Sequence, residues 1–597
     1  MNPRTVALAF SLSLTLLPAM LPAQHRDLRQ RVPATAWGYL QFEGLEACRK
    51  AFDRLPESKP FRALMKTLKD KGLLQAMDDG LQMGMDKMNA GIGASGHSTA
   101  EFRALASRPM VLVVGRPTLI AEGMVPSVLL MVDVAKAENE AKALLSTLAT
   151  ITAAQGNASL VELREPRITI ARYRKGPGKV AWTLRDQVLY LSLGAGLLRD
   201  TLATSEGKAH AMKLPAPLQK TEASLGAKPE LSLYMDLHKI QESLGWLMPY
   251  EMLELGRILG IQGIQGYYYG AAATPKGLVE ADRLLIPGNP HGLMQRLMAR
   301  PTQCAAANLA EKDTLLFASA RLDTRGLIDA FEQILPLLPP AVQDQVEHGY
   351  LQGNKNIEQG IGMDADALAA QFQGEWSLAL QAPRGSELLP DLMLFVPVKD
   401  ADKALSMVQA LLRRAPNVKL LDQKVGEETV YIVSLPKKAK SRIPLTPAFT
   451  FKNGFMIWGL NARALKNQAR HWPTPAESYA GTAAFQHLRK GTHGASSLLF
   501  LHLQSGFARL WDNQQLKGLL LMGINENNPG MDLRSEDLPT SAQLAPLLQD
   551  TSMAMVWDEN GPAGRAENSP LGAARVVVYG GSFLDWFLEG AVANEIR

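Results

Sequence analysis

The sequence predicts an α+β protein built from two related modules in tandem, each a mainly antiparallel sheet packed with amphipathic helices. The first observation is an apolar pattern that occurs twice at a nearly constant separation. Residues 108–117 align with 374–383 at an offset of 266, and residues 126–134 align with 390–398 at an offset of 264. Further aligned pairs are 185–191 with 452–458 and 230–237 with 496–503, at offsets of 267 and 266. Unrelated strands would scatter the offset, so this pattern favours internal duplication of a scaffold.

The second observation is that each module opens with a strand that leads into an amphipathic helix. The openings are 37–42 followed by 45–52, and 314–322 followed by 327–335. Apolar residues alternate in the first segment of each pair and recur every three or four positions in the second. Strands paired in hairpins, with helices packed on them, define the α+β class.

The later elements follow in the same order in both modules. A long helical region at 59–88 matches 341–372, and a helix at 136–148 matches 400–412. Two strands lie between these helices in each module. The run at 128–132 is apolar throughout, which predicts a strand covered on both faces.

Hairpin signals complete each module. Residues 167–172 and 180–184 alternate like two paired strands, and Arg185-Asp-Gln187 and Lys452-Asn-Gly454 occupy equivalent turns. Asn-Gly is the strongest short hairpin signal. A strand and helix at 231–247, matched at 498–510, repeat the opening, which predicts half-modules beginning near residues 37, 231, 315 and 498.

The N-terminus predicts export. Arg4 precedes an apolar run at 6–17, and small residues and prolines follow at 18–23. This is the layout of a secretory signal peptide, and no later segment has the uninterrupted apolar length of a membrane helix. We therefore expect a signal peptide at 1–23, modules at 24–295 and 296–597, a periplasmic or extracellular location, and no integral membrane segment.

Charge and cysteine content narrow the function classes. A formal net charge of +5 is small for 597 residues and gives no support for nucleic-acid binding, which normally shows as a concentrated basic face. Cys48 and Cys304 are the two cysteines, one in each predicted module. In an oxidising compartment they either pair or remain two buried thiols, and the sequence leaves both readings open.

Several motifs of the second module carry a resemblance to a known group of proteins. They are Gly374-Glu-Trp-Ser-Leu-Ala-Leu380, the strand 390–398, Lys399-Asp-Ala-Asp-Lys-Ala404 and the turn Lys452-Asn-Gly454. In these motifs the chain resembles an uncharacterised group of exported bacterial proteins that share a domain of unknown function. The resemblance covers most of the mature chain and implies no activity, because none is attached to that group.

No linear motif predicts catalysis, a metal or a cofactor. Gly-x-Ser-x-Gly, the phosphate loop and His-Glu-x-x-His do not occur. His487, His493 and His502 match no standard ligand spacing. Asp364 and Asp366 follow Gly362 at a predicted helix start. Carboxylates there complement the helix dipole, so the pattern indicates helix capping and not calcium binding.

Two basic turns at equivalent places form the candidate binding site, with an anionic envelope component or an envelope protein as partner. Its residues are Arg172, Arg174, Lys175 and Lys179 in the first module and Lys437, Lys438, Lys440 and Arg442 in the second. The alternative is a pair of solvated hairpin tips.

These observations predict a non-enzymatic binding or scaffold protein of the cell envelope. Two alternatives remain open. One is an envelope-associated hydrolase whose catalytic residues converge only in space. The other is a carrier of lipid or another hydrophobic ligand, suggested by a methionine-rich helix. Its methionines are Met65, Met77, Met83, Met85 and Met88.

Overall fold

The structure is a computed structural model of the chain. It describes residues 27–70, 99–120, 123–154, 158–163, 167–173, 179–245, 250–260, 263–287, 301–338, 340–381, 391–414, 418–434, 446–491, 494–504, 511–512, 514, 517–518, 521–522, 534–536, 538–569, 572–579 and 582. The predicted signal peptide and the predicted boundary at residue 295 lie outside these residues, as do Met77, Met83, Met85 and Met88.

The described residues fold into two compact units of mixed helix and antiparallel strand, which confirms the α+β class. Unit 1 comprises residues 1–247, 264–285 and 567–597, and unit 2 comprises 248–263 and 286–566. Each unit is therefore assembled from segments that are not contiguous in sequence.

The described residues of unit 1 form ten strands and seven α-helices. The strands are β1 Gly38–Phe42, β2 Met110–Ile120, β3 Gly123–Asp133, β4 Ala158–Leu163, β5 Ile168–Tyr173, β6 Lys179–Arg185, β7 Val188–Leu193, β8 Leu231–Met235, β9 Gly266–Thr274 and β10 Gly277–Leu285. The helices are α1 Leu45–Arg54, α2 Ser58–Asp70, α3 Thr99–Ala106, α4 Glu138–Ala154, α5 Ala195–Ser205, α6 Ala216–Ala223 and α7 Leu237–Leu244.

The described residues of unit 2 also form ten strands. They are β11 Thr314–Leu322, β12 Gly374–Gln381, β13 Asp391–Pro397, β14 Lys419–Val425, β15 Glu428–Ser434, β16 Ala448–Lys452, β17 Phe455–Gly459, β18 Ala495–Leu501, β19 Thr551–Asp558 and β20 Gly561–Glu567. Its helices are α8 Tyr250–Leu259, α9 Thr324–Ile334, α10 Pro340–Ile361, α11 Ala365–Gln371, α12 Ala401–Arg414, α13 Ala462–Arg470, α14 Ala483–Gly491 and α15 Ser541–Leu544.

The strand order is the same in both units. Unit 1 reads β10-β9-β8-β1-β2-β3-β7-β6-β5-β4, and unit 2 reads β20-β19-β18-β11-β12-β13-β17-β16-β15-β14. The strands at Val111 and Leu378 thus occupy matching places, each next to its unit's opening strand. A common origin of the two units by duplication stays a prediction.

Two-residue turns set the registers of equivalent hairpins. Asp186 and Gln187 join β6 to β7, and Asn453 and Gly454 join β16 to β17, all four with positive φ. Positive φ at both central residues defines the type I′ turn, whose twist matches that of the flanking strands. The turn chemistry expected at both places is therefore present.

Apolar residues of the central strands point to both faces of each sheet. In β3, Leu129 and Met131 join a core with α5 and α6, whereas Leu130 and Val132 join a second core with α1, α3 and α4. In unit 2, Phe395 packs with α13 and α14, and Val396 packs with α12. Both faces are covered by helices, as the continuous apolar run predicts.

Candidate functional site

The basic turns are described only in part. Arg172 and Lys179 are exposed and lie opposite each other in the register of β5 and β6. The other residues of this predicted site lie outside the described residues: Arg174, Lys175, Lys437, Lys438, Lys440 and Arg442. An anionic partner at these turns therefore stays a prediction.

A chain of three polar side chains lies at the end of β18. The hydroxyl of Tyr479 is 2.9 Å from His502 Nε2, and His502 Nδ1 is 3.0 Å from Asp550 Oδ2. The backbone N–H of Gln504 donates to the other oxygen of Asp550, at 3.3 Å. The order resembles a nucleophile, a base and an orienting carboxylate. Sequence spacing did not single it out, because 48 residues separate His502 from Asp550.

The position of Tyr479 argues against catalysis by this chain of residues. Its side chain is 0% exposed and packs against the rings of Phe317, Phe485 and Phe500. Burial, with a contribution from Asp550, holds the pKa of its hydroxyl far above the ordinary value. A fully covered, protonated phenol cannot attack a substrate, so these contacts stabilise the core of unit 2.

The two cysteines are free thiols, and both are buried. Burial raises the pKa of Cys304, and Glu375 adds to the effect while Arg489, with a guanidinium nitrogen 4.0 Å from Sγ, opposes it. Burial, with Glu230 and Glu43 nearby, raises the pKa of Cys48. The thiolate is the reactive form of cysteine, and a raised pKa disfavours it. Neither thiol is therefore suited to act as a nucleophile.

Unit 1 contains a group of buried charged residues around Glu230. One carboxylate oxygen of Glu230 accepts from Arg54, and the other accepts from the backbone N–H of Ala273, both at 2.8 Å. Glu43 lies nearby and pairs with Lys228 at 2.5 Å. Burial outweighs these favourable contacts and raises the pKa of Glu230 to about 7. The two carboxylates are fully engaged with partners inside the unit.

Within the part of the chain that the structure describes, no three His, Cys, Asp or Glu side chains lie close enough together to hold a metal ion. Asp364, which the sequence suggested as a helix cap, accepts from the backbone N–H of Ala367 at 2.7 Å. Its carboxylate therefore caps the N-terminus of α11.

An apolar cavity of about 450 Å³, open to solvent over much of its surface, lies in unit 2 between α9, α10, α11 and the start of β12. Its volume is in the range of small-molecule sites. Phe372 and Trp376 line it and also join the core on the α12 side of the sheet. The residues that line it are Thr324, Ile328, Tyr350, Gly353, Asn354, Ile357, Ala365, Leu368, Ala369, Phe372 and Trp376.

Most polar groups of this lining already have hydrogen-bond partners within the unit. The Thr324 hydroxyl donates to the carbonyl of Ala369 at 2.6 Å, and the Trp376 indole donates to the carbonyl of Phe372 at 3.0 Å. The Tyr350 hydroxyl donates to a carboxylate oxygen of Glu332 at 3.2 Å. The walls therefore present carbon atoms and favour apolar ligands.

The shape of the helices explains why this space is open. Gly353 lies on the face of α10 that lines the cavity, and a Cβ atom at this position would meet nothing within 4 Å. Gly362, with φ of 71°, ends α10 and lets the chain turn into α11. The methionine-rich helix that suggested a hydrophobic-ligand carrier belongs to the first module, and no sequence pattern singled out this cavity in unit 2.

Comparison with known proteins does not assign the chain to a family. No protein-family model matches the chain, and no curated protein matches it. A solved structure described as crystal form I of TP0453 is similar over 44% of this chain and 80% of that chain, with 9% identity and a TM-score of 0.20. A TM-score this low supports no argument about fold or function.

Among the described residues, no helix has the length and apolar character needed to cross a membrane.

Proposed function

We propose that this protein is a non-enzymatic, exported binding protein whose ligand is apolar and occupies the cavity between α9, α10, α11 and β12. The observation that carries the proposal is the cavity itself, about 450 Å³ with apolar walls. This combines the predicted binding protein with the predicted hydrophobic-ligand carrier. It favours a site in the second half of the chain.

The energetics of such a site favour moderate affinity. Each buried methylene contributes about 0.8 kcal/mol, so a chain that buries about eight of them gains about 6 kcal/mol. Losses of translational and rotational freedom reduce this gain. We expect dissociation constants of tens of micromolar or weaker.

Enzymatic activity is less well supported by the same residues. A hydrolase needs a nucleophile or activated water that a substrate reaches, beside a base of suitable pKa. Among the described groups, the Tyr479–His502–Asp550 chain ends at a phenol that is 0% exposed. The apolar cavity places no titratable side chain on its lining except Tyr350, whose hydroxyl is bonded to Glu332.

The test is binding of the uncharged fluorophore N-phenyl-1-naphthylamine to the purified full chain. Gly353→Leu should place a side chain in the cavity, because nothing lies within 4 Å of a Cβ atom there. Gly349→Leu is the matched control, since Gly349 is an exposed residue one turn earlier on α10 with equally open surroundings.

We expect wild type and Gly349→Leu to enhance the fluorescence alike, and Gly353→Leu to bind at least about tenfold more weakly. Both changes replace a helical glycine with a better helix former, so neither should unfold α10. Equal binding by all three proteins, or no binding by wild type, would show that the cavity is not a ligand site.

Export is a separate part of the proposal and has its own test. It is supported by the pattern of residues 1–23. N-terminal sequencing of the protein recovered from a bacterial host should find a mature chain that begins near Gln24. A chain that keeps residues 1–23 and stays in the cytoplasm would refute export and leave the cavity argument unaffected.

A further inference from the structure

The outer strand of unit 2 has an edge that is open to a further strand. In the part of the chain that the structure describes, β14 pairs along its whole length with β15 alone. Five of its seven residues are exposed, including the apolar side chain of Leu421 at 52%. The free edge of a strand presents backbone N–H and C=O groups that another chain can bond.

The turn after β14 determines which backbone groups face outward. Gly426, with φ of 64°, and Glu427 form a two-residue turn, and the register pairs Val425 with Glu428 across it. The two residues that close such a turn exchange both of their backbone hydrogen bonds, and bonded and non-bonded pairs then alternate along the strands. The residues of β14 whose N–H and C=O groups face outward are therefore Leu420, Asp422 and Lys424.

The charges of β14 are complementary to those of a second copy in one antiparallel register. This register sets Asp422 of each copy opposite Lys424 of the other, and it places Gln423 on the two-fold axis. It also sets Lys419 opposite Glu427, which is an exposed residue of the turn. Two-fold symmetry repeats both pairs. Opposite charges at directly paired positions stabilise a sheet, and like charges destabilise it.

Neighbouring registers lack this complementarity. Sliding one copy by two residues keeps outward groups opposite outward groups, but it sets Asp422 opposite Asp422 or Lys424 opposite Lys424. Lysine on an edge strand ordinarily opposes association with other chains, and here one register alone neutralises it. The equivalent edge strand of unit 1, β4, has Glu162 as its one charged residue and therefore offers no complementary cation.

We propose that this edge is a dimerisation surface, on which β14 pairs antiparallel with β14 of a second copy of this chain and joins the two sheets into one. The proposal does not depend on a ligand in the cavity. One pair of strands is a small interface, so the dimer should be weak and reversible.

Disulfide trapping in the full chain tests the register. Two Gln423→Cys side chains would be a non-hydrogen-bonded pair with Cα atoms about 4.5 Å apart, which suits a disulfide. Leu421→Cys is the matched control, because Leu421 is also exposed but would lie opposite Val425, about 13 Å from its own counterpart. Gln423→Cys removes one exposed hydrogen bond, from Lys466, so the fold should be unaffected.

Under mild oxidation, non-reducing electrophoresis should show at least about fivefold more linked dimer for Gln423→Cys than for Leu421→Cys. Cys48 and Cys304 are buried and are common to both proteins, so they do not account for a difference. Equal linkage in the two variants, or no linkage in Gln423→Cys, would overturn the proposal.

Charge reversal gives a second test that needs no added cysteine. Asp422→Lys sets lysine opposite lysine in both central pairs, and Lys424→Asp sets aspartate opposite aspartate. In sedimentation velocity, each variant alone should dimerise at least about tenfold more weakly than wild type. An equimolar mixture of the two variants should recover the association, because each lysine then faces an aspartate. The proposal fails if wild type stays monomeric, if either variant associates like wild type, or if the mixture does not recover.

Discussion

The buried carboxylate of Glu230 makes the stability of unit 1 depend on pH in a direction opposite to that of most salt-bridged acids. Glu230 is 4% exposed, and its pKa rises from 4.5 to about 7 on folding. The folded state therefore binds a proton more tightly than the unfolded state does. Its stabilising contribution is complete below pH 4.5 and is lost as the pH rises through 7.

The magnitude follows from the difference between the two pKa values. From 4.5 to about 7, at about 1.36 kcal/mol per pH unit, the loss amounts to about 3 kcal/mol. Glu230→Gln removes the titration and keeps an oxygen that can accept from Ala273. We expect the variant to lose about 3 kcal/mol less stability than wild type between pH 4.5 and pH 8.

The assay is urea unfolding at a series of pH values, with hydrogen exchange of β8 and β9 peptides to assign the transition to unit 1. Glu162→Gln is the control, because Glu162 is exposed on β4 and water screens its charge. Parallel pH profiles for wild type and Glu230→Gln would refute the argument, as would a wild type whose unit 1 gains stability across this range.

Three further predictions concern other parts of the fold. Tyr479→Phe should cost unit 2 about 1 kcal/mol in urea unfolding by removing the hydrogen bond to His502, and an unchanged midpoint would contradict that contact. Asp364→Ala should remove the cap of α11, cost about 1 kcal/mol and weaken fluorophore binding, whereas unaltered binding would show that the start of α11 does not shape the cavity. Arg172→Ser combined with Lys179→Ser should change the free energy of unfolding by less than about 0.5 kcal/mol. The same variant should cosediment less with anionic liposomes at low salt. Equal retention of wild type and variant would show that this turn is an ordinary solvated hairpin.

Much of the fold could be predicted from the sequence because its main elements carry strong local signals. The opening strand and helix of each module, Gly38–Phe42 with Leu45–Arg54 and Thr314–Leu322 with Thr324–Ile334, lie where the apolar periodicity placed them. Turn residues located the hairpins at Gln187 and Gly454. These signals are local, so long-range packing did not override them.

Two of the strands that no sequence pattern predicted lie at the edges of the sheets. Ala158–Leu163 and Lys419–Val425 are the last strands of their units, and most of their side chains are exposed or half-buried. An edge strand with solvent on several sides has little need for alternating apolar residues. The pattern that marks a strand is therefore weak there, although Lys419–Val425 pairs along its whole length with Glu428–Ser434.

The cavity could not be predicted for a different reason. Each lining residue, such as Ile328, Ile357 or Leu368, has the spacing of an ordinary core residue on its own helix. An open space depends on how far four elements stand apart, which no single segment encodes. Gly353 was a usable signal, because a glycine on the apolar face of a long helix needs a packing reason.

The discontinuous make-up of unit 1 has a consequence for the order in which the chain is made. Its core includes Phe52 from α1 and Leu55 directly after that helix, Ala271 from β9, and Ala574 and Val578 from much later in the sequence. A ribosome releases the first of these residues long before the last. Unit 1 begins to emerge first and is completed last, so a chain truncated before residue 574 should display an unfinished apolar face to proteases and chaperones. Quality control acting on that face would detect incomplete synthesis at the opposite end of the polypeptide.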